Sequence, residues 1–139
     1  MSATENDGHM MDNPLLQELG IRLAHWKEKE CRFILDIDAR HLNRQRNLQG
    51  GVVATLLDAA CGYAGLYAAP SETEQHAATI TLTINYIGKV REGRVQAIGK
   101  LIGAGRKIYF SSAELQNEDG KVIATAQGSF KRATFAAEA

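Results

Sequence analysis

The chain has few of the residues that mark several classes of protein. Its 139 residues include two cysteines, two prolines and only 6% aromatic residues. The cysteines, Cys31 and Cys61, form no CxxC pair and have no histidine at ligand spacing. They therefore indicate neither a zinc site nor a disulfide, and we expect buried thiols. Phosphate loops, dinucleotide fingerprints, nucleophile elbows and metal motifs are also missing, so the sequence predicts an activity that needs no metal or cofactor.

An excess of one charge and a long apolar run are missing as well. Sixteen basic and sixteen acidic residues give a net charge of zero, so no positive field would attract nucleic acid. The longest nearly apolar run, residues 50–70, contains Asp58 and lacks the ~18 uninterrupted apolar residues of a membrane span. Residues 1–13 lack the basic start and the apolar run of a secretory signal. We expect a cytoplasmic protein that binds neither nucleic acid nor membrane.

Length and composition predict one domain. A chain near the ~150 residues of a typical domain can bury one sizeable core but not two, and 45% of these residues are hydrophobic. We expect a flexible tail over residues 1–13, one domain over residues 14–132 and a second tail over residues 133–139.

The first half of the chain predicts a short helix, a hairpin and one long helix. Pro14 and Gly20 are typical of the first helical position and the residue after the last. Alternating apolar residues at 21–26 and 30–37, separated by a charged gap, predict a β-hairpin. From Gly50, apolar residues recur at helical spacing over about 27 Å of helix. These residues are Val52, Val53, Leu56, Leu57, Ala60 and Ala64, and Tyr63 and Tyr67 are expected to pack in the core.

The second half predicts an antiparallel sheet. Four segments with β character lie at residues 77–87, 94–102, 107–116 and 121–131. Their connections are too short for crossover helices, so we expect a meander and an α+β fold. In residues 79–86 the alternation assigns one face to Ile80, Leu82 and Ile84 and the other to Thr79, Thr81, Thr83 and Asn85.

One long helix can cover only one face of this sheet. The other face would still present apolar residues, for which we name Ile98, Ile102 and Ile123. A second copy of the chain is the simplest cover, so we expect a homodimer or homotetramer.

Two features of the long helix suggest chemistry. Gly50 and Gly51 begin it, and unpaired N–H groups at a helix start can stabilise an oxyanion that approaches without obstruction by a Cβ. The alternative is a glycine pair that only allows close packing. Asp58 is the only charged residue of this helix, and small residues surround it at helical spacing: Ala54, Thr55, Cys61, Gly62 and Gly65. A carboxylate facing such a groove is a candidate nucleophile or general base, although backbone donors or a partner helix could hold it instead.

The segment from His41 to Asp58, HLNRQRNLQGGVVATLLD, resembles the H-x-N-x-x-G-x-x-H-G-G…D/E signature of the PaaI-type hotdog-fold acyl-CoA thioesterases. The resemblance covers roughly residues 40–131. It includes the threonine-rich strand from Thr79 and a Gly-Arg turn at Gly105-Arg106. It implies a hotdog fold, an antiparallel sheet wrapped around one long central helix, with active sites at a dimer interface.

The resemblance also implies roles for individual residues. Gly50 would donate its N–H to the thioester carbonyl, Asp58 of the partner subunit would attack the carbonyl or activate water, and Asn43 would fix the loop or the nucleophile. Gln49 stands in the catalytic loop as well. Contacts to the substrate would come from Gly51, Thr79, Arg46 and Arg106.

Two positions depart from the family pattern. Gln49 stands where the family usually has His, and Gln cannot transfer a proton. Arg46 stands where the family usually has Gly, and adds a cation suited to a CoA phosphate or an acidic acyl group. We expect an acyl-CoA or aroyl-CoA thioesterase. The alternative is a non-catalytic acyl-CoA-binding or regulatory hotdog module, and a hydratase-type hotdog is less favoured because no catalytic His accompanies Asp58 on the helix.

Overall fold

A six-stranded antiparallel sheet and one long helix make up the fold. The computed structural model describes residues 7–134. We number the elements in chain order: α1 (Pro14–Leu19), β1 (Arg22–Lys27), β2 (Glu30–Asp36), a 3-10 turn (Ala39–His41), α2 (Gly50–Ala64), β3 (Gln75–Tyr86), β4 (Arg94–Ala104), β5 (Ile108–Gln116) and β6 (Val122–Thr134). Helix α2 contacts all six strands, so the sheet wraps around it and the predicted α+β hotdog fold is confirmed.

The order of the strands is β1-β2-β4-β5-β6-β3. Strands β4, β5 and β6 form the expected meander, but the prediction that β3 pairs with β4 is wrong. Strand β4 has two edges, one taken by β2 and the other by β5. Strand β3 therefore pairs with the remaining edge of β6 and becomes one edge of the sheet. Alternation along a strand does not reveal which neighbour it will have.

Helix α2 buries one face against the sheet. The predicted apolar residues Val52, Val53, Leu56, Leu57, Ala60 and Ala64 are all buried, together with Cys61. The helix has 15 residues, about 22 Å at 1.5 Å per residue, so it is shorter than predicted. It ends at Ala64, and Tyr67 lies beyond it and is 41% exposed. Cys31 is also buried, and its thiol donates to the Ala60 carbonyl at 3.0 Å.

The short helix and the hairpin form as predicted. Pro14 opens α1, the Asn13 side chain accepts a hydrogen bond from the Leu16 N–H, and Gly20 ends the helix with φ of 78°. His9 exchanges two backbone hydrogen bonds with Leu23 of β1. The proposed domain limits stay a prediction.

A β-bulge in β3 changes which face Thr79 occupies. Thr79 pairs with Phe130 and Thr81 pairs with Ser129, so Ile80 is an extra residue in the strand. Thr79 consequently shares the helix-facing side with Leu82, and Ile80 is 53% exposed. The strict alternation predicted for this segment is therefore wrong at its start.

The outer face of the sheet carries Ile102, which is 59% exposed, and partly buried Ile98. Ile123 was predicted there but is buried in the core. No helix in the described part of the chain is long and apolar enough to cross a membrane.

Candidate functional site

The carboxylate of Asp58 lies at the edge of a cavity of about 490 Å³. Asp58 is half-buried on α2. The hydroxyl of Thr79 donates a hydrogen bond to its Oδ1 at 2.8 Å. The bulge at Ile80 produces this contact because it turns Thr79 toward the helix. One carboxylate oxygen is thus held in place at an accessible position.

The cavity is apolar on one side and polar on the other. Its apolar wall comes from α1, β1 and α2, through Leu15, Leu16, Trp26, Tyr63 and Leu66. Its polar wall comes from Glu74, Gln75 and His76 at the start of β3. Tyr63 meets Trp26 edge to face with ring centroids 5.6 Å apart, and its hydroxyl accepts a hydrogen bond from the Asn13 amide at 3.4 Å.

The predicted groove of small residues forms only in part. Thr55 and Gly62 line the cavity beside Asp58. Cys61 points into the core, and Gly65 packs against the ring of Tyr109. Burial raises the pKa of the Cys61 thiol to about 12, and the nearby Asp58 carboxylate adds to this rise. Cys61 therefore stays protonated and is no nucleophile.

The start of α2 borders a second cavity, of about 480 Å³. Gly50 lines this cavity together with Asn43, Val53 and Tyr86. The side chain of Gln49, the residue before the helix, accepts a hydrogen bond from the Gly50 N–H at 3.1 Å. Gln49 thus occupies the donor that was predicted to bind an oxyanion. Tyr86 donates its hydroxyl to the Gly50 carbonyl at 2.8 Å. Sequence reasoning missed Tyr86, and nothing in its spacing would have signalled it.

Neither glycine at the helix start is required by packing in this chain. A Cβ on Gly50 would lie 3.6 Å from the Tyr86 ring, an ordinary contact, and a Cβ on Gly51 would have no neighbour within 4 Å. Close packing within the chain therefore does not explain the pair, which was the alternative to a functional role.

The loop before α2 is held by Asn43. Its side-chain oxygen accepts hydrogen bonds from the Gln45 N–H at 3.0 Å and the Asn47 N–H at 3.1 Å. Arg46 is exposed and has φ of 66°, a left-handed conformation that favours glycine. This conformation gives a physical reason for the glycine that the family pattern has at this position.

His41 lies at the start of this loop and is fully buried. Its Nδ1 accepts a hydrogen bond from the Asp38 N–H at 3.0 Å, so its Nε2 carries the proton that is donated to the Leu19 carbonyl at 2.7 Å. Both ring nitrogens form hydrogen bonds within the fold, so His41 has a structural role.

Arg106 is exposed in the turn at residues 105–107, between β4 and β5. This turn meets β6 where the Arg132 N–H donates to the Lys107 carbonyl at 2.8 Å. The Arg132 guanidinium in turn donates to the Gly65 carbonyl, next to the end of α2. Arg106 therefore lies at the opposite end of the helix from Gln49 and Gly50.

Asp58 and Gly50 lie far apart in one chain. Asp58 comes eight positions after Gly50, so the two residues are about 12 Å apart along the helix axis. One thioester carbonyl cannot contact both, because reacting groups must approach to roughly 3–3.5 Å. The predicted residues thus form two groups, Asp58 with Thr79 and Gly50 with Gln49, Asn43 and Gly51.

A comparison with protein families identifies the family of this chain. The model of the "Thioesterase superfamily" matches residues 46–124, more than half of the chain, from the Arg46 loop to β6. The chain belongs to the thioesterase superfamily. The predicted enzyme class, a thioester hydrolase, is thereby confirmed.

The relatives of this thioesterase superfamily member include a thioesterase and an esterase. It is 32% identical over 133 residues to the protein of Escherichia coli named medium/long-chain acyl-CoA thioesterase YigI, an alignment that covers 84% of each chain. It is 26% identical over 128 residues to a putative esterase of Halobacterium salinarum, with 86% of this chain and 85% of the relative covered. Among solved structures, the E. coli PaaI protein has a TM-score of 0.77 at 22% identity, with 88% of this chain and 86% of that chain covered. The PaaI likeness confirms the fold.

Proposed function

We propose that the protein is an acyl-CoA thioesterase that works as a homodimer with Asp58 as nucleophile or general base. The observation that carries this proposal is the carboxylate of Asp58, fixed by Thr79 at the edge of a cavity. The name of the E. coli relative, a medium/long-chain acyl-CoA thioesterase, supports the substrate class.

The chemistry follows from a carboxylate and a backbone donor. As a general base, Asp58 takes a proton from water while the water oxygen bonds to the thioester carbonyl carbon. The carbonyl oxygen becomes an oxyanion that backbone N–H groups at the start of α2 stabilise. The C–S bond then breaks, and the CoA thiolate leaves and takes up the proton. As a nucleophile, Asp58 would attack the same carbon, the C–S bond would break with departure of the CoA thiolate, and water would then cleave the resulting anhydride into the free acid and the Asp58 carboxylate.

Two chains are needed because Asp58 and Gly50 of one chain are about 12 Å apart along the helix axis. Strand β3 offers a way to join them. It is a 12-residue edge strand, and a long unpaired edge is a surface for pairing with another strand. Antiparallel pairing of two β3 strands about an axis between Leu82 and Thr83 would set Thr79 opposite Tyr86 of the partner subunit.

This pairing would bring the two halves of the site together. Thr79 is bonded to Asp58, and Tyr86 is bonded to Gly50 in its own chain. Asp58 of one chain would then face Gly50 of the partner subunit. A homotetramer built from such dimers would cover the outer sheet face around Ile102 as well.

The lining of the Asp58 cavity supports a neutral, apolar acyl group. Trp26, Tyr63 and Leu66 offer apolar and aromatic contacts, while Glu74 would repel a second carboxylate on the substrate. We therefore expect octanoyl-CoA or benzoyl-CoA to be hydrolysed faster than acetyl-CoA or succinyl-CoA. In this proposal, Gly51 and Thr79 contact the thioester, while Arg46 and Arg106 contact CoA phosphates.

A binding module without catalysis is the second candidate. The observation that favours it is the contact between Gln49 and the Gly50 N–H, because the side chain occupies an oxyanion donor and cannot transfer a proton. The module would bind acyl-CoA and release no thiol.

Replacement of Asp58 with asparagine separates the two candidates. Asp58→Asn keeps the shape but removes the base, so we expect CoA release from octanoyl-CoA, followed with a thiol reagent, to fall at least ~1000-fold. Asp119→Asn, in the exposed turn between β5 and β6, is the matched control and should leave the rate unchanged. Turnover of Asp58→Asn within about threefold of the parent would exclude the proposed role. A parent that binds octanoyl-CoA but releases no CoA would favour the binding module.

A further inference from the structure

Tyr86 is the last residue of β3, and it touches the start of α2. Its hydroxyl donates to the Gly50 carbonyl at 2.8 Å, and its ring covers the position where Gly50 would carry a side chain, at 3.6–3.7 Å. The side chain is otherwise 56% exposed in the single chain and lines the cavity at the helix start. Burial in the core therefore does not explain the position of Tyr86, and its hydrogen bond to Gly50 indicates a specific role.

The carbonyl that Tyr86 binds belongs to the peptide group whose N–H is that of Gly51. A hydrogen bond accepted by the carbonyl of a peptide group polarises the group and makes its N–H a stronger donor. Among the described residues, none accepts a hydrogen bond from the Gly51 N–H. The Gly50 N–H, in contrast, donates to Gln49. Gly51 therefore holds the donor that is open to a ligand.

We propose that Tyr86 is a positioning residue for the reaction, and that the Gly51 N–H joins that of Gly50 in binding the thioester oxygen. The Tyr86 hydroxyl fixes the plane of the Gly50-Gly51 peptide and strengthens the Gly51 donor. The Gln49 side chain keeps the Gly50 N–H occupied until the substrate carbonyl displaces it. This inference rests on the proposed thioesterase function.

A positioning role differs from a packing role in what it changes. The hydroxyl polarises a donor that acts on the growing negative charge, so it favours the transition state more than the bound substrate. Its loss should lower kcat and leave KM nearly unchanged. If Tyr86 only packed against the helix, its ring would matter and its hydroxyl would not.

Tyr86→Phe tests this difference because it keeps the ring and removes only the hydroxyl. We expect kcat with octanoyl-CoA to fall ~3- to 10-fold, with KM within twofold and the melting temperature unchanged. Tyr67→Phe is the matched control, since Tyr67 is exposed beyond the end of α2 and its hydroxyl has no hydrogen-bond partner among residues 7–134. Equal kcat values for Tyr86→Phe and the parent would overturn the proposal, as would a loss of stability that accounts for the whole loss of rate.

An infrared measurement gives a readout that does not depend on turnover. Octanoyl-CoA labelled with carbon-13 at the carbonyl is bound to Asp58→Asn, in which hydrolysis is expected to be slow. The shift of the carbonyl band to lower frequency on binding reports hydrogen bonding to the oxygen, and we expect it to be smaller in Asp58→Asn/Tyr86→Phe. An unchanged shift would overturn the inference alone. Rapid hydrolysis by Asp58→Asn would instead overturn the proposed function, so the two failures are distinguishable.

Discussion

The two ends of helix α2 use glycine for opposite reasons. At the first end, a methyl group on Gly50 would make ordinary contacts and one on Gly51 would make none. Just beyond the last helical residue, a methyl group on Gly65 would overlap the ring of Tyr109. Glycine is required by packing at Gly65 and is free of packing within the chain at Gly50 and Gly51.

The surroundings of the two ends agree with this difference. Tyr109 is fully buried, stacks on Phe130 and lies under the Arg132 guanidinium at 4.6 Å. Arg132 also donates to the Gly65 carbonyl, where a positive charge suits the partial negative charge at the end of a helix. At the start of α2, Gln49 and Tyr86 bind Gly50 and the Thr55 hydroxyl binds the Gly51 carbonyl, and this end of the helix borders a cavity. One end stabilises the fold, and we infer that the other is kept open for a ligand.

Among changes at the two ends of α2, Gly50→Ala should have the largest effect and should act on the rate alone. The added methyl group lies between Gly50 and Tyr86 in the cavity where the thioester carbonyl is proposed to bind. We expect kcat/KM with octanoyl-CoA to fall by about 100-fold or more, comparable to the loss of an oxyanion donor. The free energy of unfolding, measured with urea, should change by less than about 1 kcal/mol because the methyl group fits and alanine favours the helix. Similar losses of rate and stability would instead make Gly50 a packing residue.

Gly65→Ala should instead act on stability alone. Its methyl group overlaps the Tyr109 ring, and that ring cannot move away because its hydroxyl is bonded to the Gly62 carbonyl and the ring stacks on Phe130. Overpacking of this kind typically costs about 1–3 kcal/mol, and we expect a loss near the upper end of that range. Urea unfolding at one fixed protein concentration measures it, because a dimer's stability depends on concentration.

Gly51→Ala is the control for Gly65→Ala, since its methyl group meets nothing in the chain. It should be neutral or stabilising by up to about 1 kcal/mol. A Gly65→Ala protein as stable as the parent would show that packing does not require glycine at this end of α2. A strongly destabilised Gly51→Ala protein would indicate that a partner chain packs against the helix start.

Much of the fold could be predicted from local patterns. The burial of one face of α2 follows from apolar residues at helical spacing, and the end of α1 at Gly20 follows from the conformational freedom of glycine. The neighbour of β3 could not be predicted, because it depends on which strand edges the other pairs leave open. The bulge at Ile80 also leaves no mark in a strictly alternating sequence.

For the candidate site, the sequence indicates the key residue Asp58 but not the contacts that position it. Asp58 stands out because it is the single charge of a helix that is otherwise apolar and small. Its contact with Thr79 depends on the bulge, and the contact between Tyr86 and Gly50 joins residues 36 positions apart. Contacts of this kind arise from the packing of α2 on β3, which no local pattern encodes.

Of the changes at the start of α2, Gln49→His should have the smallest effect on catalysis. Gln49 already binds the Gly50 N–H through its side-chain oxygen. A neutral amide does not titrate, so the parent should show no change of activity near pH ~6.5 that arises from residue 49. If the site is adapted to glutamine, histidine offers no needed proton and disturbs the contact. We therefore expect turnover of octanoyl-CoA to stay within about threefold of the parent or to fall.

The opposite outcome would change the assignment. A positioned acid or base typically contributes ~100-fold or more, so a site that had lost a proton-transferring histidine should regain at least about tenfold in Gln49→His. A pH–rate profile from pH 5 to 8 then distinguishes the cases, because a histidine that transfers protons adds a limb near pH ~6.5 that the parent lacks. A near-inactive parent with a large gain and a new limb in Gln49→His would make the native protein an acyl-CoA-binding module. An active parent without such a gain keeps the open end of α2 as an oxyanion site that needs no titratable group at position 49.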